Sequence, residues 1–113
     1  MYNAMQGDII WVNFTPSVRK EMRGKHPSLV VSSNEYNRKT NYALVCPITS
    51  KGNEFSEYIP LKGYNKIFGR VNATQIYSIN TSRIQSSKYV EKIKDKDFLM
   101  VKQVIDYALK LDF

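Results

Sequence analysis

Within nine residues, Arg19 to Pro27, the chain places one histidine, one glutamate and four cations: Arg19, Lys20, Glu21, Arg23, Lys25 and His26. That set can cut a phosphodiester without a metal. Attack by a ribose 2′-hydroxyl needs a base for its proton, an acid for the leaving 5′-oxygen, and positive charge around the pentacovalent phosphate. Histidine titrates nearest to neutral pH and can fill either proton role. The same residues also have plainer readings. His26 can be a solvated loop residue, and Glu21 an ion-pair partner of Arg19, Lys20 or Lys25. Trp11 and the eight tyrosines can stack on nucleobases, or simply fill a core or an interface.

Other chemistries find few residues. A single cysteine, Cys46, and a single histidine exclude an internal disulfide, a cysteine-based zinc site and a histidine-rich metal centre. Gly24, Gly52, Gly63 and Gly69 are isolated, so no glycine-rich phosphate loop is present. A Cys46–His26 protease pair is formally available, but Cys46 lies in an apolar run where a thiol is normally inert. The expectation is a protein that needs no metal and no cofactor.

Charge points to the partner. Seventeen Lys and Arg oppose ten Asp and Glu, for a net +7. Residues 94–113 hold four cations and four acids, so the whole excess lies in residues 1–93. Its densest part runs from Arg19 to Lys51, a field suited to a polyanion. Lone cysteine usage favours a reducing compartment. The opening residues carry no basic, apolar leader pattern, and no apolar run approaches the ~20 residues that span a bilayer. A cytoplasmic protein without membrane association is expected.

At 113 residues the chain reads as one domain, 1–113, large enough to bury its own core. Residues 9–14 are β-branched and aromatic and predict a strand with Ile10, Val12 and Phe14 on one face. Residues 17–26 show no apolar period and predict a surface loop. Ser28 to Ser33 predicts a second strand. Asn34 to Thr40 predicts a helical turn capped by Ser33 or Asn34. Tyr42 to Ile48 predicts a third strand with Tyr42, Leu44, Cys46 and Ile48 on one face, bulged or at an edge where Pro47 lacks an N–H. Short strands are expected at 56–61, 69–72, 74–79 and 88–93. From Asp95 onward Phe98, Val101, Val104, Ile105, Ala108 and Leu109 recur at helical spacing, with Asp95 or Asp97 available as a cap. The sum is a small, strongly bent antiparallel sheet or barrel covered by one C-terminal helix.

Four segments, in order, carry a resemblance. Gly7 to Phe14 looks like an opening Gly-Asp-(apolar)-(apolar)-Trp/Tyr-(apolar)-Asp/Asn-Phe. Glu21 to Ser32 looks like Glu-x-x-Gly-x-Arg-Pro-(small)-(apolar)-Val-(apolar)-Ser. Val45 to Ser50 looks like a third strand ending Pro-x-Thr-(Thr/Ser). Gln75 to Ile79, followed by Arg83, looks like Gln-(apolar)-Arg/Lys-(Ser/Thr)-(apolar) and its trailing arginine. Together they resemble the MazF/PemK-like toxins, and the resemblance covers nearly the whole chain.

That resemblance implies an SH3-like small barrel of bent antiparallel strands with a C-terminal helix, of the MazF/PemK/CcdB kind. It implies the toxin of a type II toxin–antitoxin system: a metal-independent, sequence-specific endoribonuclease that cleaves single-stranded RNA. The products would carry a 2′,3′-cyclic phosphate (or its opened 3′-phosphate) and a 5′-hydroxyl. It also implies a homodimer, inhibited by the acidic C-terminal segment of a MazE-like antitoxin. Thr49 matches the threonine of the family's key pair. His26 stands where most members keep an arginine, Thr74 where an acid is usual, and Tyr77 where a cation is usual. The expected catalytic residues are therefore His26, Thr49 and Glu21. The expected RNA contacts are Arg19, Lys20, Arg23, Lys25, Ser50, Lys51, Thr74 and Gln75. A non-cleaving nucleic-acid binder and a CcdB-like gyrase-poisoning toxin are the competing readings.

Overall fold

Strand β1 (Asp8–Asn13) forms where the sequence is richest in β-branched and aromatic residues, and it lies between two neighbours. In chain order there follow β2 (Lys25–Val30), α1 (Asn34–Thr40), β3 (Tyr42–Thr49), β4 (Tyr58–Leu61), β5 (Gly69–Asn72), β6 (Tyr77–Asn80), a 3-10 turn (Thr81–Arg83), β7 (Ile84–Lys92) and α2 (Asp95–Ala108). The computed structural model describes residues 3–14, 25–50 and 57–113, without the side chains of 83 and 85–88. The strands make one antiparallel sheet in the order β4-β5-β3-β2-β1-β7, with β6 added to β3.

Alternation sorts the side chains of this sheet into two buried clusters. Ile9, Leu29, Cys46, Ile48 and Val71 pack with Val101 and Ile105 of α2. Ile10, Val12, Phe14, Val30, Val45 and Ile79 form the second cluster, on the opposite face. Each fully buried aliphatic contributes about 1.5–3 kcal/mol relative to exposure. The predicted faces of β1 and of Leu44, Cys46 and Ile48 are observed; Tyr42 lies exposed beyond them.

Strand β3 is central rather than an edge. One side pairs with β2, while the other pairs with β6 over residues 42–45 and with β5 over residues 48–49. Pro47 occupies the changeover between β6 and β5, where a missing N–H disrupts neither ladder. The predicted strand at 74–79 starts later, at Tyr77, because Thr74 and Gln75 belong to a turn. The predicted strand at 88–93 begins earlier, at Ile84, with register shifts against β1.

Ser33 caps α1 as predicted, its Oγ accepting from the Tyr36 N–H at 3.1 Å. Asn41 closes that helix in the left-handed region, at φ 60°. Neither Asp95 nor Asp97 caps α2: the N-cap is Lys94, with no side-chain bond. Asp97 instead accepts from the Tyr64 hydroxyl at 2.5 Å. Val101 and Ile105 are buried as their spacing predicts, but Ala108 and Leu109 are exposed. Leu111 and Phe113 do not fold back on the sheet; they are 72% and 101% exposed.

Candidate active site

The segment predicted as loop up to residue 26 is strand from Lys25 onward. Pairing with β1 sets Asn13 opposite Lys25, Val12 opposite His26 and Trp11 opposite Pro27. Nothing in the local sequence signals this; a non-local partner supplies the hydrogen bonds. His26 shares the face of Val12, because opposed residues of an antiparallel pair project to the same side. Lys25, its neighbour, points to the other side and is exposed.

Thr49 reaches the same face from the far end of β3. The β2–β3 pairing ends at Ser28 opposite Pro47, and Pro27 has no N–H with which to extend it. His26 stands two residues before Ser28, and Thr49 two residues after Pro47. Period-two alternation therefore keeps both side chains on the face that Ser28 and Pro47 share. The Ser28 hydroxyl on that face is buried and has no hydrogen-bond partner among the described residues.

On the other side of Thr49 lies Arg70, its direct partner on β5. No sequence motif marks position 70, because its relation to Thr49 exists only through strand pairing. Gly69 makes the approach possible. It sits at φ 130°, and a Cβ there would come within 2.5 Å of the Thr49 carbonyl oxygen. Only glycine fits both the dihedral and the space.

Aromatic packing ties this face to a neighbouring hollow. The Phe14 ring lies 6.3 Å from that of His26 and 5.0 Å, edge-on, from that of Tyr77. Tyr77 thus acts as packing, at a position where the resemblance implies a cation. With Thr74, Gln75, Ile76 and Ser78 it lines a hollow of about 430 Å3. Thr74 and Gln75 are exposed but held in shape by Asn72. Asn72 Oδ1 accepts from the Thr74 hydroxyl at 2.8 Å, and its Nδ2 donates to Gln75 Oε1 at 3.0 Å. Ser50 follows β3 directly and is exposed. Arg19, Lys20, Glu21, Arg23 and Lys51 lie outside the described residues.

A second polar cluster lies elsewhere. The Tyr64 hydroxyl donates to Asp97 Oδ2 and accepts from the Lys94 N–H at 2.9 Å, while Lys94 Nζ sits 4.8 Å from the tyrosine ring. Burial and the bond to Asp97 push the Tyr64 hydroxyl up to about 12. Asp8 is also buried, bonded to Lys92 Nζ at 3.0 Å and to the Met5 N–H at 3.1 Å. The Gly7-Asp8 motif is therefore a structural latch. Burial raises the Cys46 thiol to about 12, and its side chain faces the α2 cluster, away from His26. The protease pair is ruled out by this placement. Among the described residues no three His, Cys, Asp or Glu side chains gather as a metal site.

A family model for the PemK-like, MazF-like toxin of type II toxin–antitoxin systems matches residues 5–109. The chain belongs to that family. The endoribonuclease toxin MazF of Escherichia coli K12 is 36% identical over 73 residues, a stretch that is 65% of this chain and 65% of the relative. The chain thus spans just under two thirds of the length of the curated relatives it matches. A crystal structure of MazF from Deinococcus radiodurans superposes with a TM-score of 0.87 at 26% identity, covering 98% of this chain and 100% of that one. A MazE–MazF structure from the same organism gives 0.83 at 25% identity, covering 99% of this chain and 100% of that one. The family's fold, a half-barrel of antiparallel strands with a C-terminal helix, is the fold described above.

Proposed function

We propose that this chain is a metal-independent endoribonuclease toxin that cuts single-stranded RNA at short sequences. The observation that carries the reading is the shared face of His26 and Thr49 at the adjoining ends of β2 and β3. The 2′-oxygen forms a bond to phosphorus as the bond from phosphorus to the 5′-oxygen breaks. His26 carries the proton at one of these two oxygens, and Thr49 hydrogen-bonds the phosphate or the attacking group. Glu21 can share the proton work. Arg19, Lys20, Arg23, Lys25, Ser50 and Lys51 hold the backbone, while Thr74 and Gln75, beside the hollow, read bases. The name of the Escherichia coli relative, an endoribonuclease, supports the same activity.

The exposed apolar end of α2 supports a homodimer. Tyr107, Leu109, Leu111 and Phe113 are all at least 70% exposed, and a second copy would cover them. The antitoxin partner is an acidic segment that competes with RNA for the basic surface; the MazE–MazF structure supports an antitoxin partner as such. No helix among the described residues is long and apolar enough to cross a membrane.

The test is incubation of pure protein with a long single-stranded RNA in EDTA. Cleavage leaving 5′-hydroxyl ends is expected, weakening steeply with added salt. Strict dependence on Mg²⁺, or 5′-phosphate products, would overturn the mechanism. Retention of intact RNA would favour the non-cleaving binder. Inhibition of gyrase without any RNA binding would favour the CcdB-like reading.

A further inference from the structure

We propose that Arg70 grips the scissile phosphate and supplies the fixed positive charge that a histidine at position 26 does not; this rests on the RNA-cleaving reading above. Four observations converge on it. Arg70 is paired directly with Thr49, so the two side chains leave adjacent strands on one side, with Cβ atoms about 4.5–5.5 Å apart. His26 projects to that side from β2, so three neighbouring strands contribute one side chain each to a row: histidine, threonine, arginine. Gly69 holds β5 tightly against the Thr49 carbonyl, which fixes the start of the arginine's reach. Arg70 is half-buried, so its charge acts through a less screened environment than a fully exposed lysine would.

The chemistry divides naturally. A guanidinium stays charged at any working pH and offers a planar fork that fits two phosphate oxygens. It is a poor proton carrier for the same reason. A histidine carries protons readily and clamps phosphate poorly. In this row the two tasks fall to two residues, with Thr49 between them. Lys25, the nearest described cation in sequence to His26, cannot take Arg70's place from its own strand position, because it projects to the opposite face.

The experiment compares Arg70→Ala, Arg70→Lys and the double variant Arg70→Ala/His26→Arg with wild type. Cleavage of a single-stranded RNA in EDTA, retention of a 2′-deoxy analogue that cannot be cut, and thermal melting are measured for each. Arg70→Ala should lose on the order of 10²–10³-fold in rate, as when one oxyanion donor is removed. Its retention of the uncuttable analogue should show a salt slope shallower by about one phosphate contact. Arg70→Lys should lose less. In the double variant the new cation at position 26 should restore part of the salt slope on the uncuttable analogue but not the rate, because the proton carrier is gone. Wild-type rate and salt slope in a folded Arg70→Ala protein would overturn the proposal. So would a rate loss that follows the melting temperature alone while the salt slope on the uncuttable analogue stays that of wild type; if Arg70→Ala does not fold, Arg70→Gln answers the same question. A wild-type protein that cuts no RNA overturns the endoribonuclease reading instead, and the salt slope on the uncuttable analogue then decides Arg70 by itself.

Discussion

Two groups of side chains in this protein could pass for an active site. Tyr64, Asp97 and Lys94 have the outward marks: a buried carboxylate, a tyrosine raised to about 12, and an amine over its ring. The row His26, Thr49 and Arg70 has a plainer look. The difference lies in topology. In the first group the tyrosine hydroxyl both donates to Asp97 and accepts from the Lys94 backbone, and Lys94 Nζ donates to the Lys62 carbonyl at 3.1 Å. These bonds pin the loop before β5 to the first turn of α2, and they close on themselves. In the second group the start of β2 and the end of β3 adjoin, and three side chains of complementary chemistry leave three neighbouring strands on one face. A perturbed ionisation state marks a packed polar cluster as readily as a catalytic one, and on the reading proposed above it is the row, not the cluster, that meets RNA.

The sharpest way to break this comparison is to mutate both groups and read two quantities. His26→Ala should lower the RNA cleavage rate on the order of 10²–10⁴-fold while leaving the melting temperature within a few degrees. Gly69→Ala should act on both readouts, because its Cβ must displace the Thr49 carbonyl. A stability loss of about 1–3 kcal/mol in urea denaturation, with a clear fall in cleavage, is expected.

Tyr64→Phe should do the reverse of His26→Ala: about 1–3 kcal/mol less stable, because Asp97 loses its donor, with cleavage unchanged. It should also change the alkaline limb. Tyr64 has a folded pKa of about 12 against an ordinary value of 10.0. Its contribution is fully present below the lower value and is lost as pH rises towards the higher, since only the unfolded chain readily gives up that proton. The decline in stability across this interval should flatten in Tyr64→Phe. Loss of cleavage in a folded Tyr64→Phe protein would reverse the assignment of the two groups. The smallest effect is expected at Ser28. Its buried hydroxyl has no partner among the described residues, so Ser28→Ala should be neutral or stabilising by up to about 1 kcal/mol in the same denaturation assay. A drop in cleavage there would enlarge the site to include that hydroxyl.

Local pattern was enough for the faces of β1 and β3 and for Val101 and Ile105, because periods of two and of 3.6 are written in neighbouring residues. It was enough for His26 and Thr49 as candidates through their residue types and the family resemblance. It failed for the position of His26 in a strand, because β1 supplies the hydrogen bonds that the segment's own polarity argues against. It failed for Arg70, which lies 21 positions from Thr49 in the chain and meets it only through pairing. It misplaced Asp97 as a cap because the competing donor, Tyr64, lies 33 residues away. In each case a distant partner outbid a local preference.

The Asp8–Lys92 latch also dictates an order of events. It joins groups 84 residues apart, and β1 gains its second neighbour only when β7 is in place. During synthesis His26, Thr49 and Arg70 are all present before Lys92 exists. The strand that anchors His26 therefore has one flank unpaired until then, and closing so long a loop is among the slower steps open to a small domain. A growing chain passes through a stage that carries every residue of the row but lacks the latch, so the sheet that holds the row in register is completed late and abruptly rather than by degrees.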